Sequence, residues 1–269
     1  MFENLYAQLT DRNAGLVTEV EQKTLKETTV AVFGLGGLGG VIAEVLTRAG
    51  VGSLKIIDND KFEPTNLNRQ IFCFRDTVGK LKTEIAEAFL KKIDSQLKLQ
   101  AFTQVTEENI DKILKDAAVA VLAIDSAKPC LIISRAARRL GIPLVEGWAI
   151  PYGNVRVITR DTPSLEEVYG FPTIGKEVKD ITDEEYLQLK ITMLARMKKI
   201  EGVETFYPPA AVEKIRAGRI PSFAPIVWLT AVLMSLETIK ITLKWGTLAL
   251  APHFALFNPF NGTIPEQET

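Results

Sequence analysis

Residues 30–49 place three patterns in immediate succession: an apolar strand (V-A-V-F), a turn holding Gly34, Gly36, Gly37, Gly39 and Gly40, and an apolar helix over 41–49. That order admits few folds. The first glycine permits a tight turn, the second lets backbone N–H groups approach a phosphate, and the third lets helix and strand pack closely. The amino end of the helix then favours an anion. A second strand over 54–57 ends at Asp58, about 20 residues beyond the glycines, where an acid can accept hydrogen bonds from ribose hydroxyls. Asp60 follows it. The stretch predicts a βαβ unit built to hold a nucleotide.

The alternation continues along the chain. Residues 82–93 have helical periodicity through Ile85, Ala86, Phe89, Leu90 and Ile93, residues 97–105 read as a short strand, and residues 107–115 read as a helix capped by Thr106. The apolar run over 119–124 suits a parallel strand buried on both faces, and it ends in Asp125. A helix over 130–140, stopped by Gly141 and Pro143, precedes strands over 144–146 and 155–159 that close the sheet. The expected fold is α/β, a doubly wound, Rossmann-like and mostly parallel sheet. Residues 1–27 are expected to form an N-terminal helical arm, broken at Asp11-Arg12-Asn13 and Gly15, and residues 28–160 the nucleotide-binding core. Residues 161–222 carry Pro163, Pro172, Pro208, Pro209 and Pro221 around an amphipathic helix over 183–200, with Leu187, Ile191, Leu194 and Met197 on its packing face. They read as a crossover or lid region. Residues 223–269 supply a buried helix over 223–245 and an edge strand over 254–257, packed with the core.

Charge and cysteine usage bound the setting. Lysine and arginine number 32 against 33 aspartates and glutamates, so no basic field exists to collect nucleic acid or an anionic membrane. The most apolar window, 223–243, contains Pro225, Glu237 and Lys240 and reads as a core helix rather than a span. The first ten residues lack the basic-then-apolar order of a secretory signal, and two cysteines make no disulfide framework. A cytoplasmic setting is expected. Cys73 and Cys130, each in apolar surroundings, are expected to be buried and structural, and the lone His253 is read as structural.

A glycine loop alone most often means NAD. Three features point to ATP instead. Asn66-Leu67-Asn68-Arg69-Gln70 follows directly on the ribose acid, and a hydride-transfer enzyme has no evident need for cations converging on phosphates. Lys82 stands at a helix start, where its charge opposes the macrodipole unless an anion offsets it. Asp125 ends a strand in the same crevice as Asp58, a position suited to magnesium.

In combination these motifs resemble those of the ThiF/MoeB/HesA superfamily, the bacterial relatives of ubiquitin-activating enzymes, over residues 12–159, with weaker support in 221–246. The resemblance implies a homodimeric adenylyltransferase. It would use ATP and magnesium to convert the C-terminal carboxylate of a small ubiquitin-like sulfur carrier, ending in Gly-Gly, to an acyl-adenylate. It assigns Gly34, Gly36, Gly37 and Gly39 to the phosphate loop, Asp58 to the ribose, Asn66 and Arg69 to an Asn-Arg motif and Lys82 to a phosphate lysine. Asp125 takes the magnesium role, and Arg12 that of an arginine reaching the neighbouring protomer's nucleotide. Two departures stand out. The paired Cys-x-x-Cys zinc ligands of many members are missing, so no zinc is expected, and residues 161–221 hold no cysteine for a thioester. Three alternatives stay open: an ATP-dependent activator of another carboxylate or amide, such as a peptide or modified tRNA base; a NAD-dependent oxidoreductase; and a non-catalytic subunit of a heterodimeric activator. The joint presence of Arg69, Lys82 and Asp125 speaks against the last.

Overall fold

The apolar runs of the sequence become neighbouring strands. The computed structural model describes residues 5–148, 150–197, 221–260 and 266–268. Its elements are α1 (Leu5–Thr10), α2 (Glu19–Glu27), β1 (Thr29–Phe33), α3 (Gly39–Ala49), β2 (Ser53–Ile57), α4 (Lys82–Ile93), β3 (Lys98–Phe102), α5 (Ile110–Leu114), β4 (Val119–Leu122), α6 (Ala127–Leu140), β5 (Leu144–Glu146), β6 (Gly153–Ile158), α7 (Leu165–Tyr169), α8 (Asp183–Met197), α9 (Ala224–Leu243), β7 (His253–Phe257) and β8 (Glu266–Glu268). The sheet order is β3-β2-β1-β4-β5-β6-β7-β8, parallel from β3 to β5 and antiparallel from there on. The strand order reverses between β1 and β4, the switch point where such sheets open a crevice beyond their carboxyl ends.

Helices cover both faces. One layer is packed from Leu25, Ile42, Leu46, Ala86, Leu90, Ala231 and Met234, which bring α2, α3, α4 and α9 onto the sheet. The other holds Ile113, Leu131, Ile133, Val168 and Leu189 from α5, α6, α7 and α8. Both sides of β1 and β4 are therefore dry, which is why their sequences read as unbroken apolar runs. Local signals set several boundaries. Thr18 and Glu21 close a capping box on α2, Ser164 and Glu167 do the same for α7, and Gly50 and Gly141 end α3 and α6 in left-handed conformation.

The structure corrects four sequence expectations. The helix expected from residue 107 begins at Ile110, residues 107–109 forming a turn in which the Asn109 and Ile110 N–H groups donate to the Thr106 carbonyl. Residues 155–159 do not close the sheet: β7 pairs with β6, and β8 in turn covers β7, which is not an edge. The helix over 223–245 is only half buried, with Trp228, Val232 and Leu236 between 39% and 47% exposed along one stripe. The face expected to pack on α8 is reversed: Leu187 is 60% and Ile191 49% exposed, whereas Leu189 is buried with Tyr186 and Met193 beside it. The side chains of Leu194 and Met197 lie outside the described residues. The described part of 161–222 packs α7 and α8 onto the α6 layer; the rest of the region expected as a crossover or lid, residues 198–220, lies outside the description. Cys73 and Cys130 are buried, as expected, and burial pushes the Cys73 thiol up. Among the described residues α9 alone has the length and apolarity of a membrane span, and here its buried face lies on the sheet and α3.

Candidate active site

The glycine loop is folded onto the exit of β4. The Gly34 N–H donates to the Ile57 carbonyl at 2.7 Å, with φ at +93°, and a Cβ there would stand 2.4 Å from the Ala123 carbonyl oxygen. Gly39, the first residue of α3, lies closer still: its Cβ would meet the Gly34 carbonyl oxygen at 1.8 Å. Only glycine lets β1, the loop and α3 approach this tightly. The amino end of α3 thus opens beside the exit of β4, with the Gly40 and Ile42 N–H groups already bonded to the Gly36 and Leu38 carbonyls.

The acid beyond β2 is locked to that loop. Asp58 is buried, its Oδ2 accepting from the Leu35 N–H at 2.7 Å and its Oδ1 from the Asp60 N–H at 2.8 Å. Burial pushes the Asp58 carboxyl above its usual range, against the pull of Lys82 and of the two backbone N–H groups. Lys82, buried at the start of α4, donates to Asp60 Oδ2 at 2.8 Å and lies 3.7 Å from Asp58 Oδ2. The anion that offsets its unfavourable place on the helix dipole is this pair of carboxylates.

Asn66 and Arg69 divide the labour of their motif. Asn66 is buried and shapes the turn, its Oδ1 accepting from the Glu63 N–H and its carbonyl from the Arg69 and Gln70 N–H groups. Arg69 lays its stem over the loop, Cγ lying 3.3 Å from where a Gly37 Cβ would be. Its Nη1 donates to the Thr65 carbonyl at 3.0 Å and to Asn68 Oδ1 at 2.9 Å, and no carboxylate among the described residues pairs with it.

Several contributors were not assigned from the sequence. Gln70 is buried with its amide against Gly36, and its Oε1 has no hydrogen-bond partner. Its signal was its place beside Arg69. Trp228 of α9 donates from Nε1 to the Arg69 carbonyl at 2.8 Å, Asn68 Nδ2 donates to the Ser222 carbonyl at 2.9 Å, and Val227 walls Gly37. Nothing local could reveal these links, which join residues more than 150 positions apart. A glycine cradle, a ribose-height acid, two cations and an orphaned buried acceptor fit a nucleotide triphosphate.

Asp125 lies two residues beyond the Ala123 carbonyl that touches Gly34, exposed at the mouth. Among the described residues no group of three acids, histidines or cysteines could hold a metal. A lone carboxylate still suits magnesium, which is commonly held by one or two carboxylates together with substrate phosphates. Arg12 is not brought to the site. Its turn is tied to the carboxyl end of α3 through Asn13 and Gln22, both donating to the Ala49 carbonyl, and α3 separates that end from the glycine loop by about 16 Å. Two clefts of about 420 Å³ lie away from the site, one beside Arg48, Phe72 and Phe89 and the other beside Arg135, Arg138 and Glu166.

The sequence model of the ThiF family matches residues 10–269. The chain belongs to the ThiF family. Among curated relatives, the ThiF-family chain is 40% identical over 149 residues to the sulfur carrier protein ThiS adenylyltransferase of Bacillus subtilis, covering 54% of this chain and 44% of that one. It is 34% identical over 134 residues to the tRNA threonylcarbamoyladenosine dehydratase of Escherichia coli, covering 49% of this chain and 50% of that one. The chain thus spans about half the length of these relatives. Among solved structures, Escherichia coli MccB with AMPCPP and MccA shares the fold at a TM-score of 0.67 and 20% identity, covering 93% of this chain and 66% of that one.

Proposed function

We propose that the chain adenylates the C-terminal carboxylate of a small ubiquitin-like sulfur carrier at the expense of ATP. The observation that carries this reading is the presence of two cations among the site residues, Lys82 beside the ribose acid and Arg69 with its stem over Gly37. A nicotinamide site has no evident use for that pair. The relative named as a ThiS adenylyltransferase supports the carrier as substrate.

In the step envisaged, a carboxylate oxygen attacks the α-phosphorus. A new P–O bond forms, the bond to the bridging β-phosphate oxygen breaks, and pyrophosphate leaves with its electron pair. The nucleophile is already ionised at neutral pH, so no general base is required. Asp58 fixes the ribose, the α3 amino end receives phosphate oxygens, and Arg69 and Lys82 offset the charge that two anions accumulate on approach. Lys82 exchanges a carboxylate partner for a phosphate. Magnesium, held by Asp125 and the phosphates, would add charge neutralisation at the leaving group. A homodimer accounts for Arg12, remote from its own loop and exposed, and the apolar stripe of Trp228, Val232 and Leu236 supports burial against a second copy.

The test is ATP–pyrophosphate exchange with purified chain and Gly-Gly-ending carriers, with peptides and threonylcarbamoyladenosine-containing tRNA as parallel arms. Exchange dependent on a carrier is expected, and Arg69→Ala or Asp125→Ala should abolish it with the melting temperature unchanged. Wild-type exchange in either variant, or activity only in a parallel arm, would reject the reading. A tRNA arm is favoured by one relative's name but not by the balanced charge.

A further inference from the structure

The carboxyl ends of four adjacent strands form a row: β2 with Asp58, β1 with the glycine loop, β4 with Asp125 and β5 with the turn that carries Trp148. At roughly 4.8 Å between strands, Trp148 follows the magnesium acid by one step and the ribose acid by about 15 Å. On the adenylation reading Asp58 and Lys82 engage the nucleotide at the β2 end, which leaves the β5 end for the second reactant.

That end is braced to a degree a short hairpin does not require. Fully buried Asn154 grips both backbone groups of Trp148, accepting from its N–H at 2.8 Å and donating to its carbonyl at 2.8 Å, and donates to the Tyr152 carbonyl at 3.0 Å. The Trp148 indole N–H donates to the Tyr169 hydroxyl at 2.6 Å, and that hydroxyl donates to Glu146 at 3.3 Å. Glu146 is fully buried against Arg156, whose guanidinium stacks 4.9 Å from the Tyr169 ring centroid and 3.8 Å from that of Phe254. A buried ion pair contributes little stability over an apolar pair of the same shape. What this one does is fix a hydroxyl, and the hydroxyl fixes an indole that packs partly on the clusters around Leu165 and Phe254 and stays partly open to solvent.

Resting on the adenylation reading, we infer that Trp148 is the surface on which the C-terminal segment of the polypeptide substrate lies as its carboxylate meets the α-phosphate, with Asn154 as its positioning residue. An indole face offers an extended backbone a large rigid contact at small entropic cost.

The test measures KM for a Gly-Gly-ending carrier and for ATP separately by pyrophosphate exchange. Trp148→Ala should raise the carrier KM about tenfold and leave the ATP KM within about twofold, whereas Trp148→Phe, which keeps a ring, should stay within about threefold for both. An unchanged carrier KM in Trp148→Ala with active wild type would overturn this inference alone. So would parallel losses for both substrates, or loss of the ATP-induced thermal shift in Trp148→Phe, since these mark a purely structural role. Absence of exchange in the wild type with every carrier would overturn the functional reading and this inference with it.

Discussion

Replacing Lys82 by methionine separates its structural role from its chemical one. The ammonium lies 3.7 Å from the Asp58 carboxylate, both side chains being 7% exposed, and 2.8 Å from Asp60, which is 62% exposed. At an effective dielectric of 20 the buried contact has a Coulomb energy of about 4.5 kcal/mol, and the Asp60 contact, screened by water, adds about 0–1 kcal/mol. Lysine desolvation opposes this, and Asp58 keeps its two N–H donors in the variant. A net loss of about 2 kcal/mol remains, or about 4–8 °C in melting temperature for a chain of this size. The pH dependence has a definite sign. Burial already raises the Asp58 carboxyl in the wild type, and without Lys82 it rises further. Between the two values the folded variant holds a proton that the folded wild type has released, and Asp58 escapes its unpaired charge. The destabilisation should therefore grow as pH rises through and beyond the raised wild-type Asp58 value toward neutrality. Thermal unfolding of both proteins across that range measures it. A difference that is flat with pH, or shrinks toward alkaline pH, would refute the coupling of Lys82 to Asp58. Methionine should also abolish pyrophosphate exchange.

Other outcomes follow from the same geometry. Gly39→Ala sets a Cβ 1.8 Å from a backbone oxygen and should cost about 4 kcal/mol or prevent folding, whereas Gly36→Ala, whose Cβ would rest 3.7 Å from the Gln70 amide, should be close to neutral in denaturant unfolding; equal losses would discount the packing argument. Arg156→Leu leaves Glu146 buried without its cation and should cost about 3–5 kcal/mol, with the double variant carrying Glu146→Gln recovering more than half of it in the same melts. Adenosine, which has ribose hydroxyls but no phosphates, should bind more tightly as pH rises above the ordinary aspartate value of 3.8, because the hydroxyls favour the ionised form of a carboxyl that burial raises. Calorimetric affinities that do not change over about pH 4–7 would contradict that assignment.

The parallel half of the sheet was legible because strands such as β1 and β4, buried on both faces, leave no polar position to confuse their pattern. The start of α4 at Lys82 was legible as well, since its periodicity is clean and its neighbour in space, Asp60, lies only 22 positions away. Elsewhere periodicity could not choose between faces. In α8 apolar residues lie on two sides, Leu187 and Ile191 against Leu189 and Met193, and which side meets α6 is decided by tertiary packing. The Asn154 clamp was invisible for another reason. An asparagine at a strand start looks like turn chemistry, and only the folded hairpin points its amide at Trp148. The far placement of Arg12 likewise depends on how the N-terminal arm docks at the end of α3, which spacing does not encode.

The bracing of Arg69 by α9 has a consequence for biosynthesis. By the time a ribosome has released residues up to Asp125, every nucleotide-facing group named above has been made, and β1, α3 and β2 have their local partners. The arginine turn does not. Its hold on Ser222 and Trp228 waits for about a hundred further residues, so the emerging chain acquires its glycine cradle early and its anchored cation last.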